Sequence, residues 1–194
     1  QMFQYAIGRK ISYLNNESLR LDLSEYNINK KRRYSLQPFN INAEIIGGPE
    51  LRPVLKKGIF KKPLQVVKQK FVEYDPEIQK IKKNLYLEGY WQSEKYFQDI
   101  ENIIRLDFTL KNEYRIGNEE IIDLIKNCHS VSIHIRRGDY IKDNEVNACH
   151  GVSSLDYYKQ AIIKISEIVS NPIFFIFSDT IEWAKENFKI DIQK

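Results

Sequence analysis

Two short runs of strand-forming residues, Val-Ser-Ile-His-Ile at 131–135 and Ile-Phe-Phe-Ile-Phe at 173–177, flank a segment whose apolar residues Leu155, Tyr158, Ala161, Ile162, Ile165 and Val169 recur at helical spacing. A strand, a helix and a second strand in that order form a parallel unit, because the crossover helix packs back onto the sheet in one hand only. The second run is apolar throughout, which is the pattern of a strand covered on both faces. Ser153 with Asp156 three residues later reads as a capping box opening the helix, and Asn171-Pro172 closes it. Ser178-Asp179-Thr180 then punctuates the second strand before a last helix at 181–188.

The upstream half carries the same alternation in weaker form. Phe3, Ala6, Ile7, Ile11 and Leu14 predict a helix starting almost at Gln1, and Leu19, Leu21 and Leu23 alternating with Arg20 and Asp22 predict a half-buried strand. Residues 29–63 are basic and hold Pro38, Gly47-Gly-Pro49, Pro53 and Pro63, so they are expected to be mostly loop. Such a loop either crosses a substrate cleft or is a variable connection, and the second reading is preferred. Asp75-Pro76 opens a short helix, 85–87 is a strand, and Ser93-Glu94 caps a helix through Ile100 to Ile104. Asn118 caps another, with Ile121, Ile122, Leu124 and Ile125 on one face. The fold class is therefore α/β, divided into a first domain at 1–126 and a second at 127–194. The chain opens directly into a helix without an initiator Met and closes on Lys189-Ile-Asp-Ile192, which resembles the approach to another strand, so a fragment of a longer protein is expected.

Charge and cysteine content narrow the class of function. Thirty Lys and Arg against 26 Asp and Glu leave +4, spread over clusters such as Lys30-Lys-Arg-Arg33 and Lys56-Lys57, which suits an anionic small ligand or an anionic surface and does not establish nucleic-acid binding. No apolar run approaches the roughly 18 to 20 residues of a membrane-spanning helix. Cys128 and Cys149 are the two cysteines, too few for a disulfide framework, and a reducing cytoplasm is the simpler setting.

In an open parallel sheet, ligands bind just past the carboxyl ends of the strands. Two polar clusters fall there, His134-Ile-Arg-Arg-Gly-Asp-Tyr140 and Ser178-Asp179-Thr180. Residues 136–152 separate the first strand from its crossover helix, where about 2 to 6 residues usually suffice, and a connection that long points to function. Ser132, His134 and Arg136 share one face of the strand, opposite Val131, Ile133 and Ile135. An arginine fork holds two phosphate oxygens at once, so it can neutralise a diphosphate whose bond to a sugar is breaking. Gly138 would allow a sharp turn, and Asp139 would pin a guanidinium or accept a proton. Plainer readings stand beside these: a histidine near a strand end is usually structural, and paired arginines often sit in surface ion pairs. Arg137-Gly-Asp139 also spells an adhesion tripeptide, which three residues do by chance. Tyr90, Trp91 and Gln92 follow a strand and could stack on a sugar, yet aromatics in such places are mostly core or interface residues.

The segment His134-Ile-Arg-Arg-Gly-Asp-Tyr140 resembles the HxRRGDY motif of the α-1,2-fucosyltransferases of glycosyltransferase family 11. Gln1-Met-Phe-Gln-Tyr-Ala-Ile-Gly8 resembles the helix after that family's glycine-rich loop, and Leu87-Glu-Gly-Tyr-Trp-Gln-Ser-Glu-Lys-Tyr-Phe97 its mid-domain signature. Cys149-His-Gly-Val-Ser-Ser-Leu-Asp-Tyr-Tyr158 resembles the lead into the crossover helix, and Phe175-Ile-Phe-Ser-Asp179 the F-x-F-S-D-D strand end. The resemblance implies a GT-B architecture of two Rossmann-like parallel-sheet domains, both incomplete in this chain, with GDP-β-L-fucose bound mainly by the second. It implies inverting transfer of fucose to the 2-hydroxyl of a galactoside, without a metal or other cofactor, in glycan or surface-polysaccharide synthesis. It also implies a place in the cytoplasm or peripherally at the inner membrane face. By this carry-over Arg136 contacts the β-phosphate, His134 helps hold the donor, and Asp139 orders the arginines or assists the reaction. Arg137, Gly138, Tyr140, Ser178, Asp179 and Gln1 fall among the substrate-binding residues. The family's second acidic residue at the strand end is Thr180 here, and its glycine-rich loop and guanine-contacting segments are outside the chain. The rival readings are a nucleotide-sugar or phosphate-binding module without catalysis and, disfavoured by the modest charge, a nucleic-acid binder.

Overall fold

The computed structural model describes residues 1–28, 33–47, 64–70, 73–81, 85–142, 147–148 and 151–188. The basic runs at 30–32 and 56–57, the Gly and Pro residues at 48, 49, 53 and 63, Cys149 and the stretch 189–192 lie outside the described residues. The chain divides into two compact units, Gln1–Ile116 and Gly117–Lys194. The division falls ahead of the helix at 119–126, whereas the sequence reading draws it behind.

In the first unit, helix α1 (Met2–Asn15) is followed by strand β1 (Arg20–Asp22), helix α2 (Ser24–Ile28), and strands β2 (Glu44–Ile46), β3 (Gln65–Lys68) and β4 (Leu85–Glu88). β1 pairs in parallel with β2, and β3 in parallel with β4. α1 stops where Asn16 turns left-handed and returns its N–H to the carbonyls of Ser12 and Tyr13. The helix feeds two hydrophobic clusters. Tyr5 and Ala6 join Leu36, Ile100 and Ile104 in one, and Ile7 and Ile11 join Ile78, Trp91 and Tyr96 in the other. Burial of Tyr5 brings its hydroxyl to Asp107 Oδ2 as donor at 2.6 Å, while the same oxygen accepts the Asn42 N–H at 2.9 Å. Arg9 Nε adds a contact to Asp107 at 2.9 Å, and the almost fully buried Lys10 ion-pairs with Asp99. These partners let the polar groups of α1 leave water without being orphaned.

Two expectations for this unit change. The segment 29–63 contains a strand, β2, and β3 follows it, both shorter than periodicity can register. The single helix expected from Ser93 to Ile104 is two 3₁₀ turns, Glu94–Tyr96 and Gln98–Ile100, running into helix α3 (Glu101–Asp107). The reason lies in the packing: Tyr96 belongs to one cluster and Ile100 to the other, and Phe97 between them leaves the helical region at φ −143°. The core reading of the aromatics at 90–92 holds for Trp91, which is 1% exposed, while Tyr90 lies outside the core. Elsewhere Asp75 caps the turn Pro76–Lys80 through the Glu77 N–H, as its sequence predicts.

The second unit contains helix α4 (Glu119–Lys126), strand β5 (His129–Ile135), helix α5 (Gly138–Lys142), helix α6 (Leu155–Ile168), strand β6 (Pro172–Ser178) and helix α7 (Ile181–Asn187). β5 and β6 are parallel, His129 facing Pro172 and Ile135 facing Ser178, so the expected strand–helix–strand unit is present. Ile133, Ile135, Ile162 and Ala184 form its core, with Tyr158, Phe174, Trp183 and Phe188 packed around them. The N-cap of α6 is Ser154, not Ser153, and its hydroxyl accepts the Tyr157 N–H at 3.1 Å. Asn118 occupies the N-cap position of α4 without a side-chain cap bond, and Ile121 and Leu124 are exposed. β6 is not covered on both faces among the described residues: Ile173, Ile176 and Phe177 are exposed, because the described sheet has two strands and its helices cover part of it. Among the described residues no helix is long and apolar enough to cross a membrane.

Candidate functional site

The register of the second sheet sets Ile135 opposite Ser178, so Arg136 and Asp179 leave adjacent strand ends together. Ile135 is fully buried, which anchors the departing backbone, while Ser132 and His134 on the opposite face are exposed. The strand does not enter a long open loop: after Arg136 and Arg137 the chain turns into α5, within the segment expected to be a connection of 136–152.

Asp179 organises that turn. Its Oδ1 accepts the Arg137 N–H at 2.9 Å and its Oδ2 accepts the Gly138 N–H at 3.1 Å. Oδ2 also stands 3.7 Å from Arg136 Nε, with the carboxylate side chain 27% and the arginine 45% exposed. One carboxylate thus holds two backbone donors and faces a guanidinium, which fixes the first strand's exit to the second's. Gly138 gives close approach here and not a left-handed turn. A Cβ at that position would meet Asp179 Oδ2 at 3.0 Å and Cγ at 3.3 Å. The expectation of a sharp glycine turn is corrected accordingly, since φ at 138 is not positive.

Each guanidinium also lies over an aromatic ring. Arg136 Cζ is 5.5 Å from the Tyr140 centroid, and Arg137 Cζ is 3.6 Å from that of Trp183. The His134 carbonyl accepts the Tyr158 hydroxyl at 3.4 Å, tying α6 to the strand end. Ser178 Oγ accepts the Thr180 N–H at 3.0 Å and lies 3.3 Å from Thr180 Oγ1, so Ser178 shapes the second strand's exit into α7. His134, Arg136, Arg137, Gly138, Tyr140, Ser178 and Asp179 are therefore gathered at the carboxyl edge of one parallel pair. The side chain of Asp139 lies outside the described residues; among those described, Asp179 is a carboxylate that orders the turn. Gln1 lies in the first unit, where its amide donates to the Arg33 carbonyl at 2.8 Å and accepts the Ser35 N–H at 2.7 Å.

Sequence reasoning missed Trp183. A helix following a polar strand end was visible, but which face of it meets the first strand's exit was not. The two guanidiniums at this edge keep their charge at any ordinary pH, and a planar fork there can take two oxygens of an anion. Among the described residues no three His, Cys, Asp or Glu side chains gather as a metal site.

Comparison with known proteins adds independent information. The family model described as Glycosyl transferase family 11 matches residues 1–194. An α-1,2-colitosyltransferase of Escherichia coli is 35% identical, over 96% of this chain and 67% of that protein. The O-antigen biosynthesis glycosyltransferase WbnK of the same organism is 28% identical, over 97% of this chain and 72% of its own length. Human galactoside α-(1,2)-fucosyltransferase 1 is 27% identical over 53% of this chain and 30% of its own. No solved structure matches.

Proposed function

Because the chain belongs to glycosyl transferase family 11, we propose that it moves L-fucose from GDP-β-L-fucose to the 2-hydroxyl of a galactoside, with inversion, in the building of a surface polysaccharide or other glycan. The observation that carries this reading is the Asp179 carboxylate holding the Arg136–Arg137–Gly138 turn across two strand ends, which presets paired guanidiniums where an α/β sheet takes its ligand. The names of the bacterial and human relatives support the α-1,2 linkage and the sugar class.

In the proposed reaction the acceptor oxygen forms a bond to the anomeric carbon as the bond from that carbon to the β-phosphate oxygen breaks. The electron pair stays on the departing diphosphate, and the acceptor hydroxyl gives up its proton to a base. Arg136 neutralises the charge that grows on the β-phosphate, so its contact strengthens on the way to the transition state. His134 holds the donor beside it, and Asp139 orders the arginines or assists the reaction. Tyr140 and Ser178 complete the substrate-binding set at this edge, and Gln1 is assigned to substrate binding by the family resemblance alone. The two units are proposed as the Rossmann-like domains of a GT-B enzyme, working in the cytoplasm or at the inner membrane face.

A second reading concerns the sugar. Identity of 35% to an α-1,2-colitosyltransferase favours colitose, which is fucose without its 3-hydroxyl, as an alternative cargo. A site built to hydrogen-bond a hydroxyl rejects the analogue lacking it strongly, whereas a site that ignores the hydroxyl accepts both. The test is a transfer assay with GDP-fucose and GDP-colitose, separately and in competition, on lactose and a panel of β-galactosides, with the product linkage read by NMR. An α-1,2-fucosyl product is expected. Calorimetric binding of GDP with no transfer from either donor would favour the non-catalytic module, and no binding of GDP would remove the donor assignment altogether.

A further inference from the structure

The two arginines of the turn are supported differently. Arg136 faces the Asp179 carboxylate, whereas the Arg137 guanidinium lies on the Trp183 indole at 3.6 Å and, among the described residues, its side chain makes no hydrogen bond or ion pair. A cation–π contact of this kind leaves the guanidinium's N–H donors available to an anion. A long, flexible side chain is thereby held in one orientation with its hydrogen-bonding edge unspent, and the later entropy cost of ordering it around a ligand is reduced. The platform itself is firm: Trp183 is packed against the core of Ile133, Ile135, Ile162 and Ala184, on a helix that starts two residues after Asp179. Asp179 meanwhile fixes the Arg137 backbone through its N–H, so main chain and side chain of one residue are held from the same strand–helix junction.

We propose that Trp183 is a positioning residue that holds Arg137 as a preformed fork for the diphosphate of the nucleotide-sugar donor. This rests on the donor assignment made above. It divides the labour at the turn between a carboxylate-supported arginine, Arg136, and an indole-supported one, Arg137.

The test is a double-mutant cycle on the full chain, read by calorimetric affinity for GDP and by donor KM and kcat. Trp183→Leu is expected to weaken GDP binding on the order of tenfold, to raise donor KM more than it lowers kcat, and to cost nothing further once Arg137→Ala is present. Trp183→Phe, which keeps a ring face in the core, is expected to lose less, and again only while Arg137 is in place. Melting curves of each variant accompany the cycle, and the Phe variant carries it if the Leu variant does not fold. A loss of affinity equal in the presence and absence of Arg137, or no loss in either Trp183 variant, overturns the proposal while leaving the donor assignment intact. Absence of GDP binding by the unaltered chain overturns both.

Discussion

Among the features that place Arg136 are the buried Ile135 before it, the Asp179 carboxylate 3.7 Å from its Nε, and the Tyr140 ring. If its fork stabilises the departing diphosphate, Arg136→Ala removes a transition-state contact and kcat falls by about 10²- to 10³-fold or more. Arg136→Lys is expected to fail as a rescue, because an ammonium keeps the charge and loses the second point of contact. Near-normal kcat in the Lys variant would show that this arginine is not the clamp. Gly138 makes a complementary case by sterics alone. Its Cα hydrogen faces Asp179, and a methyl there stands 3.0 Å from Oδ2. Gly138→Ala should push the carboxylate off the two backbone N–H groups, lowering stability by about 1 to 3 kcal/mol and weakening GDP binding in parallel. A melting temperature and a GDP affinity both unchanged would mean that the turn does not depend on that close approach.

At the level of the element, α1 carries a buried polar spine as well as an apolar face. Tyr5 donates to Asp107 and accepts from the Asn42 N–H, joining the helix to the end of α3 and to the chain ahead of β2. Burial, and next the hydrogen bond to Asp107, push its phenol well above the ordinary tyrosine range. The sign follows from linkage: a group whose pKa is raised on folding contributes stability that is complete below the unfolded value, about 10, and lost as pH rises through the folded value. Stability toward urea should therefore hold from neutrality to about pH 10 and decline above it. Tyr5→Phe strands the Asn42 N–H and one Asp107 contact, costs about 1 to 3 kcal/mol at pH 7, and flattens the alkaline decline. Some decline remains, because burial and the bond to Asp22 raise the Tyr86 phenol in the same sense. An alkaline limb identical in the Phe variant would show that Tyr5 is not one of the groups responsible.

For the molecule as a whole the question is what supplies positive charge to the substrate. The net +4 is small, but Arg136 and Arg137 place two permanent positive charges at the β5 exit, where the Asp179 carboxylate organises the turn. Under the proposed function those guanidiniums take the part a divalent cation plays at a diphosphate elsewhere. Transfer should consequently persist in EDTA and gain nothing from added Mg²⁺ or Mn²⁺. Loss of activity on chelation, restored by either ion, would mean that the arginines are insufficient and that a metal shares the charge.

The amphipathic helix α1, the capped turn after Asp75, the β5–α6–β6–α7 order and the exposed face of His134 were all legible in the chain, because each depends on residues within a few positions of one another. The motif at 134–140 was equally plain as a cluster of chemistry at a strand end. Other features were decided by contacts between residues far apart. β2 and β3 are strands only because Glu44 finds Arg20 and Gln65 finds Leu85, and runs of three or four residues carry no periodicity of their own. The helix expected at 93–104 broke because neighbouring side chains were claimed by two different cores. The support of the site, Asp179 under the backbone of residues 137 and 138 and Trp183 under the Arg137 guanidinium, joins positions more than forty residues apart. Local spacing sets which elements form and which side chains face outward; only the register of β5 on β6 brings the carboxylate and the indole to the arginines they hold.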